Sequence, residues 1–335
     1  MRRVNVKVDS GERSVSRDSE VVILYTCQWI EVNYYSDRYK INAKFASATD
    51  FREIGPRHCW TATYHPTNPL LMDSIETLSE GFLSAFYEKS WSGEEVEMVT
   101  TLSIEEAYEV QDKVAAGRTA RGEQVVGYKV GCTSAAIRQQ FGLDEPIFGR
   151  LFVPHTRQCG EELDWKAFAN CAIEPEMVIR TRSDLSGIDV SDEHLLEAIE
   201  SVRPGIELHD FTFWHQPPAT QELICSGGIH AGLLIGTDGV SGQQLNWQDE
   251  RFSVLKDGVE VCSAPASEIM GGPLHSLRWL VEKLADRDDI LPAGSLVIPG
   301  SPVELVAIDK DCMLEIQIEG VGSCQAQFRE SSNSN

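Results

Sequence analysis

Two glutamates two residues apart, Glu174 and Glu176, sit inside an apolar, strand-favouring run from Ala172 to Ile179. Successive side chains of a strand alternate faces, so both carboxylates point one way and Pro175 the other. Two ionised acids placed like this repel each other and resist desolvation unless a cation or water neutralises them. Oxygen donors suit a hard divalent ion such as Mg²⁺ or Mn²⁺. The same spacing also suits an exposed edge strand with two solvated glutamates, which Pro175 would tolerate. A third acid tips the balance: Glu207 lies in Gly205-Ile206-Glu207-Leu208-His209-Asp210-Phe211, another strand-like run. Three carboxylates that leave coordination positions open describe a catalytic Mg²⁺ site better than a structural one. Upstream, Val125 to Ser134 reads as a strand carrying one lysine, Lys129, between Gly127 and Gly131. Flanking glycines would let a ligand approach the backbone, and a lysine beside a metal site could have its pKa lowered enough for proton transfer. A strand-end lysine with a buried stem is the plainer alternative.

These residues need elements that bring them together. Ser191 opens a segment with Leu195, Leu196, Ile199 and Val202 at helical spacing, and Pro204-Gly205 reads as its stop. A strand, a helix and a return strand would set Glu207 beside Glu174 and Glu176. Earlier, Ile75, Leu78, Phe82, Leu83 and Phe86 have helical spacing, and Ser103-Ile104-Glu105-Glu106 is a capping box for a second helix. Gly271-Gly272-Pro273 opens a helix with Leu274, Leu277, Val281 and Leu284 on one stripe. A glycine-rich helix start can bind a carboxylate, although it more often permits a tight turn. The first 71 residues lack an amphipathic period and show only strand-like pieces at Trp29–Val32 and Trp60–Tyr64.

In order, Gly127-Tyr128-Lys129-Val130-Gly131-Cys132-Thr133-Ser134, Pro146-Ile147-Phe148-Gly149-Arg150-Leu151, Ile173-Glu174-Pro175-Glu176 and Gly205-Ile206-Glu207-Leu208-His209-Asp210 resemble the 2-keto-4-pentenoate hydratase family. That family stands with the 4-oxalocrotonate decarboxylases in the fumarylacetoacetase C-terminal-like superfamily. The late turns Gly271-Gly272-Pro273-Leu274, Pro299-Gly300-Ser301-Pro302 and Ile318 to Ser323 fit as well. The resemblance implies an α+β fold over residues 72–330, with two N-terminal helices packed on a mixed, strongly curved β-sandwich roll. It implies Mg²⁺ or Mn²⁺ on Glu174, Glu176 and Glu207, with Lys129 as the acid/base residue. Ser226, Asp210 and Gly272 become candidates for substrate contact, and the substrate an unsaturated 2-keto acid from aromatic-ring cleavage. A homo-oligomer in the cytoplasm is implied too. Residues 1–71 fall outside the resemblance, as an accessory segment, a disordered one or a mis-assigned start.

Departures from the family pattern set the order of functional alternatives. An acid often found before the aromatic-glycine pair is Ile147 here, which moves weight from hydration towards decarboxylation. Leu223-Ile224 replaces the usual Asp-Asn ahead of the serine, and Phe211-Thr212 the usual Ser-Arg. Hydration comes first, decarboxylation a close second, and carbon–carbon bond hydrolysis third, because it would need a histidine base near the metal. A non-catalytic binding module is the alternative from another class. His209, His215 and His230 lack His-Glu-x-x-His spacing and read as structural. There is no Gly-x-Ser-x-Gly elbow, P-loop or Gly-x-Gly-x-x-Gly, which argues against a serine hydrolase and a nucleotide cofactor.

Composition removes further classes. Residues 1–71 carry ten Lys+Arg and eight Asp+Glu, a net of +2, whereas residues 72–335 carry nineteen and forty-four, a net of −25, which together give the chain's −23. A body this acidic repels nucleic acid and anionic membrane, so neither is expected as a partner. No apolar run reaches the length of a membrane span. Nine cysteines without a Cys-x-x-Cys pair read as free thiols in a reducing compartment, against a zinc ribbon or disulfide framework.

Overall fold

The computed structural model describes residues 74–89, 97–210 and 218–331 in full, and elsewhere the backbone of regular elements alone. The chain divides into two compact units, Met1–Pro69 and Leu70–Asn335. The first carries β1 (Arg3–Val8), β2 (Gly11–Ser14), β3 (Val22–Ile23), β4 (Ile30–Tyr35), β5 (Lys40–Phe45), β6 (Arg52–Glu53) and β7 (Trp60–Thr61). They form antiparallel sheets ordered β2-β1-β4-β5 and β3-β7-β6.

The second unit opens with helices. In α1 (Pro69–Glu88), Ile75, Leu78 and Phe82 of the predicted stripe are buried, together with Ala85, whereas Leu83 and Phe86 are half-buried. A short α2 (Val96–Thr100) precedes α3 (Ile104–Ala120), whose capping box is complete. The Ser103 hydroxyl accepts from the Glu106 N–H, and the Glu106 carboxylate accepts from the Ser103 N–H. Such a cap contributes about 1 kcal/mol by satisfying amides that the first turn leaves open.

Two mixed sheets follow. The larger has eight strands: β8 (Val125–Gly131), β9 (Ile147–Phe152), β10 (Thr156–Gln158), β12 (Cys171–Thr181), β13 (Ile199–Asp210), β14 (His230–Ile235), β17 (Leu296–Ile298) and β18 (Val306–Ala307), ordered β10-β14-β13-β12-β17-β8-β9 with β18 also on β12. The smaller runs β11-β20-β19-β15-β16, from β11 (Glu162–Asp164), β20 (Gly322–Arg329), β19 (Cys312–Ile318), β15 (Arg251–Lys256) and β16 (Val259–Pro265). Helices α4 (Ala135–Phe141), α5 (Asp192–Ala198), α6 (Thr220–Cys225) and α7 (Pro273–Ala285) complete the unit, an α+β arrangement. On α7 the predicted stripe of Leu274, Leu277, Val281 and Leu284 is buried. Among the described residues no helix is long and apolar enough to cross a membrane.

The eight-stranded sheet has two unlike faces. Ile173, Met177, Ile179, Ile206 and Leu208 belong to the main core. The alternate positions carry Glu174, Glu176, Val178 and Glu207, and there Val178, Leu151, Leu233, Ile235 and Ile298 form a separate small apolar cluster. The site thus sits on the sheet face that the main core does not use.

Two expectations need correction. The predicted helix after Ser191 ends at Ala198, and Ile199, Val202, Pro204 and Gly205 all belong to β13. Pro204 is tolerated because its carbonyl accepts from the Gly236 N–H at 2.8 Å, so its missing N–H faces the same edge, where the ladder to β14 begins only at Gly205. The cysteines are not all free thiols: Cys159 and Cys324 form a disulfide, whereas Cys132, Cys171, Cys225, Cys262 and Cys312 are free.

Candidate active site

Antiparallel pairing of β12 and β13 puts Glu174 directly opposite Glu207. Directly opposed residues project to the same face, so the two carboxylates share one spot on the sheet. Two residues along, Glu176 faces Gly205, and in the other direction His209 faces Ala172. Glycine and alanine at these cross-strand positions leave room for the longer partner. Pro175 falls between the stretches of β12 that pair with β18 and with β17, where its missing N–H breaks no ladder.

Lys129 reaches the group from across the sheet. β8 lies beside β17 with Lys129 opposite Ile298, and its ammonium ends 2.6 Å from Glu207 Oε1. It also donates to the Gly228 carbonyl at 3.1 Å. Gly228 has φ +74°, and a Cβ there would come within 3.2 Å of the lysine's terminal atoms. A side chain at 228 would therefore be strained and would crowd the ammonium. Of the two glycines flanking Lys129, Gly127 serves strand packing instead of ligand approach: a Cβ would stand 1.8 Å from the Leu296 carbonyl oxygen.

Two histidines that read as structural in the sequence line this group. His209 Nε2 is 3.1 Å from Glu174 Oε2 and 3.4 Å from Glu207 Oε2, and His230 Nδ1 is 2.8 Å from Glu207 Oε1. His209 was legible in principle, because it follows Glu207 by two and so shares its face. His230 depends on a register shift between β13 and β14 at Leu208/His209, which no local pattern announces. His215 and the Phe211-Thr212 departure lie outside the described residues.

Glu207 is fully buried and its two oxygens are occupied differently: Oε1 takes Lys129 and His230, whereas Oε2 has no hydrogen-bond donor. Glu176 is fully buried as well, with Oε2 accepting from the Gly300 N–H at 3.1 Å and Oε1 unpartnered. A buried carboxylate oxygen without a donor costs free energy, and a cation is the partner that removes the cost. The donor set therefore fits a divalent ion. The ligand atoms that gather within 4.8 Å of one another are those of Glu174, Glu207 and His209. Glu176 stands outside that group.

Burial and charge act in opposite directions here. Burial would lower the pKa of Lys129, yet Glu207 and Glu174 outweigh it and raise the lysine above 10.5. The carboxylates by themselves therefore favour the ammonium form of Lys129. Burial would raise Glu207, but Lys129 and His209 hold it well below 4.5. Burial, with the charges of Glu207 and Glu174, pushes Glu176 well above 4.5, towards the neutral acid. Burial opposes protonation of His209, but Glu207 raises it to about 9, whereas burial takes His230 down to about 4.

The residues expected at the substrate end have other occupations. Asp210 follows His209 on the opposite face of β13 and accepts from Lys89 Nζ at 2.6 Å and from the Ala169 N–H at 3.0 Å. The Ser226 hydroxyl donates to the Leu223 carbonyl and accepts from the Ile229 N–H, closing the turn after α6. Gly272 is the residue before α7, at φ +144° against the Trp247 carbonyl.

Comparison with known proteins bears out the resemblance read from the sequence. The chain is 24% identical over 230 residues to the 2-keto-4-pentenoate hydratase of Paraburkholderia xenovorans, covering 69% of this chain and 86% of that one. It is 25% identical over 232 residues to a 4-oxalocrotonate decarboxylase of Pseudomonas putida, with coverages of 68% and 86%. Its fold matches that of 4-oxalocrotonate decarboxylase from Pseudomonas putida G7, a structure complexed with magnesium and adipate, with a TM-score of 0.73 at 24% identity over 77% of this chain and 98% of that one. No family model matches the chain.

Proposed function

We propose that the chain is a divalent-metal-dependent lyase that adds water to an unsaturated 2-keto acid of the 2-hydroxypenta-2,4-dienoate kind, with decarboxylation of a 4-oxalocrotonate-type diacid as the second reading. The observation that carries this is a buried carboxylate group with donor-free oxygens, joined through Glu207 to a buried ammonium. Relatives at about a quarter identity bear both names, and the fold neighbour was solved with magnesium. When bound, Mg²⁺ or Mn²⁺ supplies Lewis-acid polarisation of the keto oxygen.

The chain's own residues do the rest. Glu207 would hold the ion through Oε2 while Oε1 stays on Lys129, so that proton donor and binding site would share one carboxylate. Lys129, its proton held by Glu207, acts first as an acid: it delivers a proton to the terminal carbon of the dienol and takes up the one that the 2-hydroxyl releases as the keto group forms. The Gly228 carbonyl and Glu207 aim its Nζ, and neutral His230 fixes Glu207 by donating from Nδ1. The apolar cluster of Leu151, Val178, Leu233, Ile235 and Ile298 lies on the same sheet face. Ile147, buried in β9 against Gly131, puts no acid where one would handle water, and this specific observation favours the decarboxylase reading.

We read the two sheets as the curved sandwich roll that the resemblance implies, the active protein as a homo-oligomer, and its compartment as the cytoplasm. Incubating the purified chain and Mg²⁺ with 2-hydroxydienoates and an oxalocrotonate, while following ultraviolet loss of the dienoate and release of CO₂, tests the reaction. Water addition without CO₂ supports the first reading, CO₂ release the second, and no metal-dependent turnover of either would sink both.

A further inference from the structure

One buried ring nitrogen of the site has no task in holding the metal or in moving the lysine's proton. His230 is 5% exposed, its Nδ1 stands 2.8 Å from Glu207 Oε1, and its Nε2 has no hydrogen-bond partner among the described residues. Glu207 Oε1 already takes the Lys129 Nζ at 2.6 Å, which disfavours a second cation on the same oxygen. The neutral ring therefore donates from Nδ1 and carries its lone pair on Nε2. A buried acceptor without a donor costs free energy, so this position calls for a group that brings an O–H.

Its place narrows what that group is. β14 sets His230 opposite His209, with Nδ1 on Glu207, so Nε2 lies one ring-width beyond the oxygen that Lys129 meets. Lys129 protonates the terminal carbon of the dienol, C5, and water adds at the neighbouring carbon, C4. Groups that serve adjacent carbons must be neighbours, and Lys129 and His230 share one oxygen of Glu207. Ahead of β14, Leu223-Ile224 replace the usual polar pair, and Ile147 stands where an acid would handle water. His209 is no substitute. Its Nδ1 is unpartnered too, but its Nε2 is 3.1 Å from Glu174 and 3.4 Å from Glu207, and two carboxylates favour the charged ring, whose Nδ1 is a donor.

We propose that His230 Nε2 accepts a hydrogen bond from the water that adds to C4 and so holds the nucleophile in place. The proposal deepens the hydratase reading and rests on it, with the metal left on the carboxylates. In that step the water oxygen bonds to C4, the C3=C4 π pair moves to C3, and the proton that the water gives up is balanced by the one that C3 takes.

The full chain with Mg²⁺ and 2-hydroxypenta-2,4-dienoate in D₂O is followed by proton NMR, which reads deuterium entering C5 separately from formation of the 4-hydroxy-2-keto acid. In His230→Asn the side-chain amide stands where Nδ1 does, so Glu207 keeps its donor and only the Nε2 acceptor is lost. His230→Gln keeps a polar atom near Nε2 and gives up the Nδ1 contact. By calorimetry His230→Asn should bind Mg²⁺ like the parent. It should exchange C5 at the parent's rate yet add water roughly 10²-fold more slowly, the scale of misplacing one reactant. His230→Gln should keep the parent's ratio of the two steps. Equal loss of both steps in His230→Asn, or water addition at the parent's rate, would overturn the proposal. A check without variants uses ¹⁵N-histidine in the parent chain: the Nε2 signal of an Nδ1–H ring should shift with 4-hydroxy-2-ketopentanoate, whose hydroxyl takes the water's place, and not with 2-ketopentanoate. An equal response to both compounds would overturn the proposal whether or not a variant folds. CO₂ release without water addition by the parent would overturn it and leave the decarboxylase reading standing, and no metal-dependent turnover at all would remove the lyase reading itself.

Discussion

At the scale of single residues, Lys129 and Glu176 make separable predictions. Lys129→Met removes the ammonium but no ligand, so metal affinity should hold or tighten, because Glu207 no longer shares its charge. Turnover should fall by roughly 10²–10⁴-fold, the range for losing a general acid. Near-normal turnover in steady-state assays would reduce Lys129 to a buried counter-charge. Glu176→Gln keeps the acceptor for the Gly300 amide and the shape of the neutral acid, so it should be mild in stability yet lower kcat more than metal affinity. A calorimetric loss of metal binding as large as that of Glu174→Gln would instead place Glu176 among the ligands. The carboxylates and the lysine were legible in the sequence because same-face spacing and glycine flanks are local signals. His209 carried the same local signal, two residues after Glu207, whereas His230 was not legible, because its place depends on the register shift between β13 and β14 at Leu208/His209.

At the scale of elements, helix starts were more legible than helix ends. Ser103 and Ser191 cap their helices as expected, since a cap is chemistry among four neighbouring residues. The stop after Ser191 was misplaced because Ile199 and Val202 suit a helical stripe and a strand equally, and sheet pairing decided. A second feature invisible in sequence joins α1, α3 and the strand β9. The Arg118 guanidinium lies between the Phe86 and Phe152 rings, 3.9 and 3.7 Å from their centroids, and pairs with Glu123 at 2.8 Å. Tyr87 donates to Glu123 Oε1, and His155 Nε2 stands 3.5 Å from the same oxygen. Burial would raise Glu123, but its hydrogen bonds to Tyr87 and Arg118 hold it below 4.5; burial and then the Arg118 charge lower His155 below 6.5. Both folded values are depressed, so the unfolded chain binds more protons at acid pH. The stability from His155 is therefore present above 6.5 and drains as pH falls through its folded value, and that from Glu123 is lost below 4.5. Urea midpoints measured from pH about 8 down to about 3 should decline in two steps. His230, whose folded value is about 4, adds to the upper step, so His155→Phe should shrink that step without removing it and keep the lower one; a variant profile identical to the parent's would refute the assignment.

At the scale of the whole molecule, fold class was legible through motifs that follow one another in order, but the connection between the two sheets was not. Cys159 and Cys324 are 165 residues apart, and nothing in their local sequence pairs them. The bond forms where the chain leaving β10 reaches β20: the Cys159 N–H donates to the Ile235 carbonyl and the Gly160 N–H to the Gln325 carbonyl at 2.7 Å. It therefore ties the edge of the eight-stranded sheet to the five-stranded one. Cross-links that close long loops contribute typically about 2–4 kcal/mol, chiefly by restricting the unfolded chain. For a unit of this size each kcal/mol shifts Tm by roughly 2–4 °C. Dithiothreitol should accordingly lower the Tm of the parent chain by roughly 4–16 °C. Cys159→Ser should melt at the reduced temperature whether or not reductant is present. The carboxylates and Lys129 lie on other strands, so lyase turnover at room temperature should be the same in both redox states. Thiol titration of the denatured protein gives the independent check: Cys159 and Cys324 should react only after reduction. Free reaction of both without reductant, with a Tm insensitive to dithiothreitol, would show that the two sheets are held together without a covalent link.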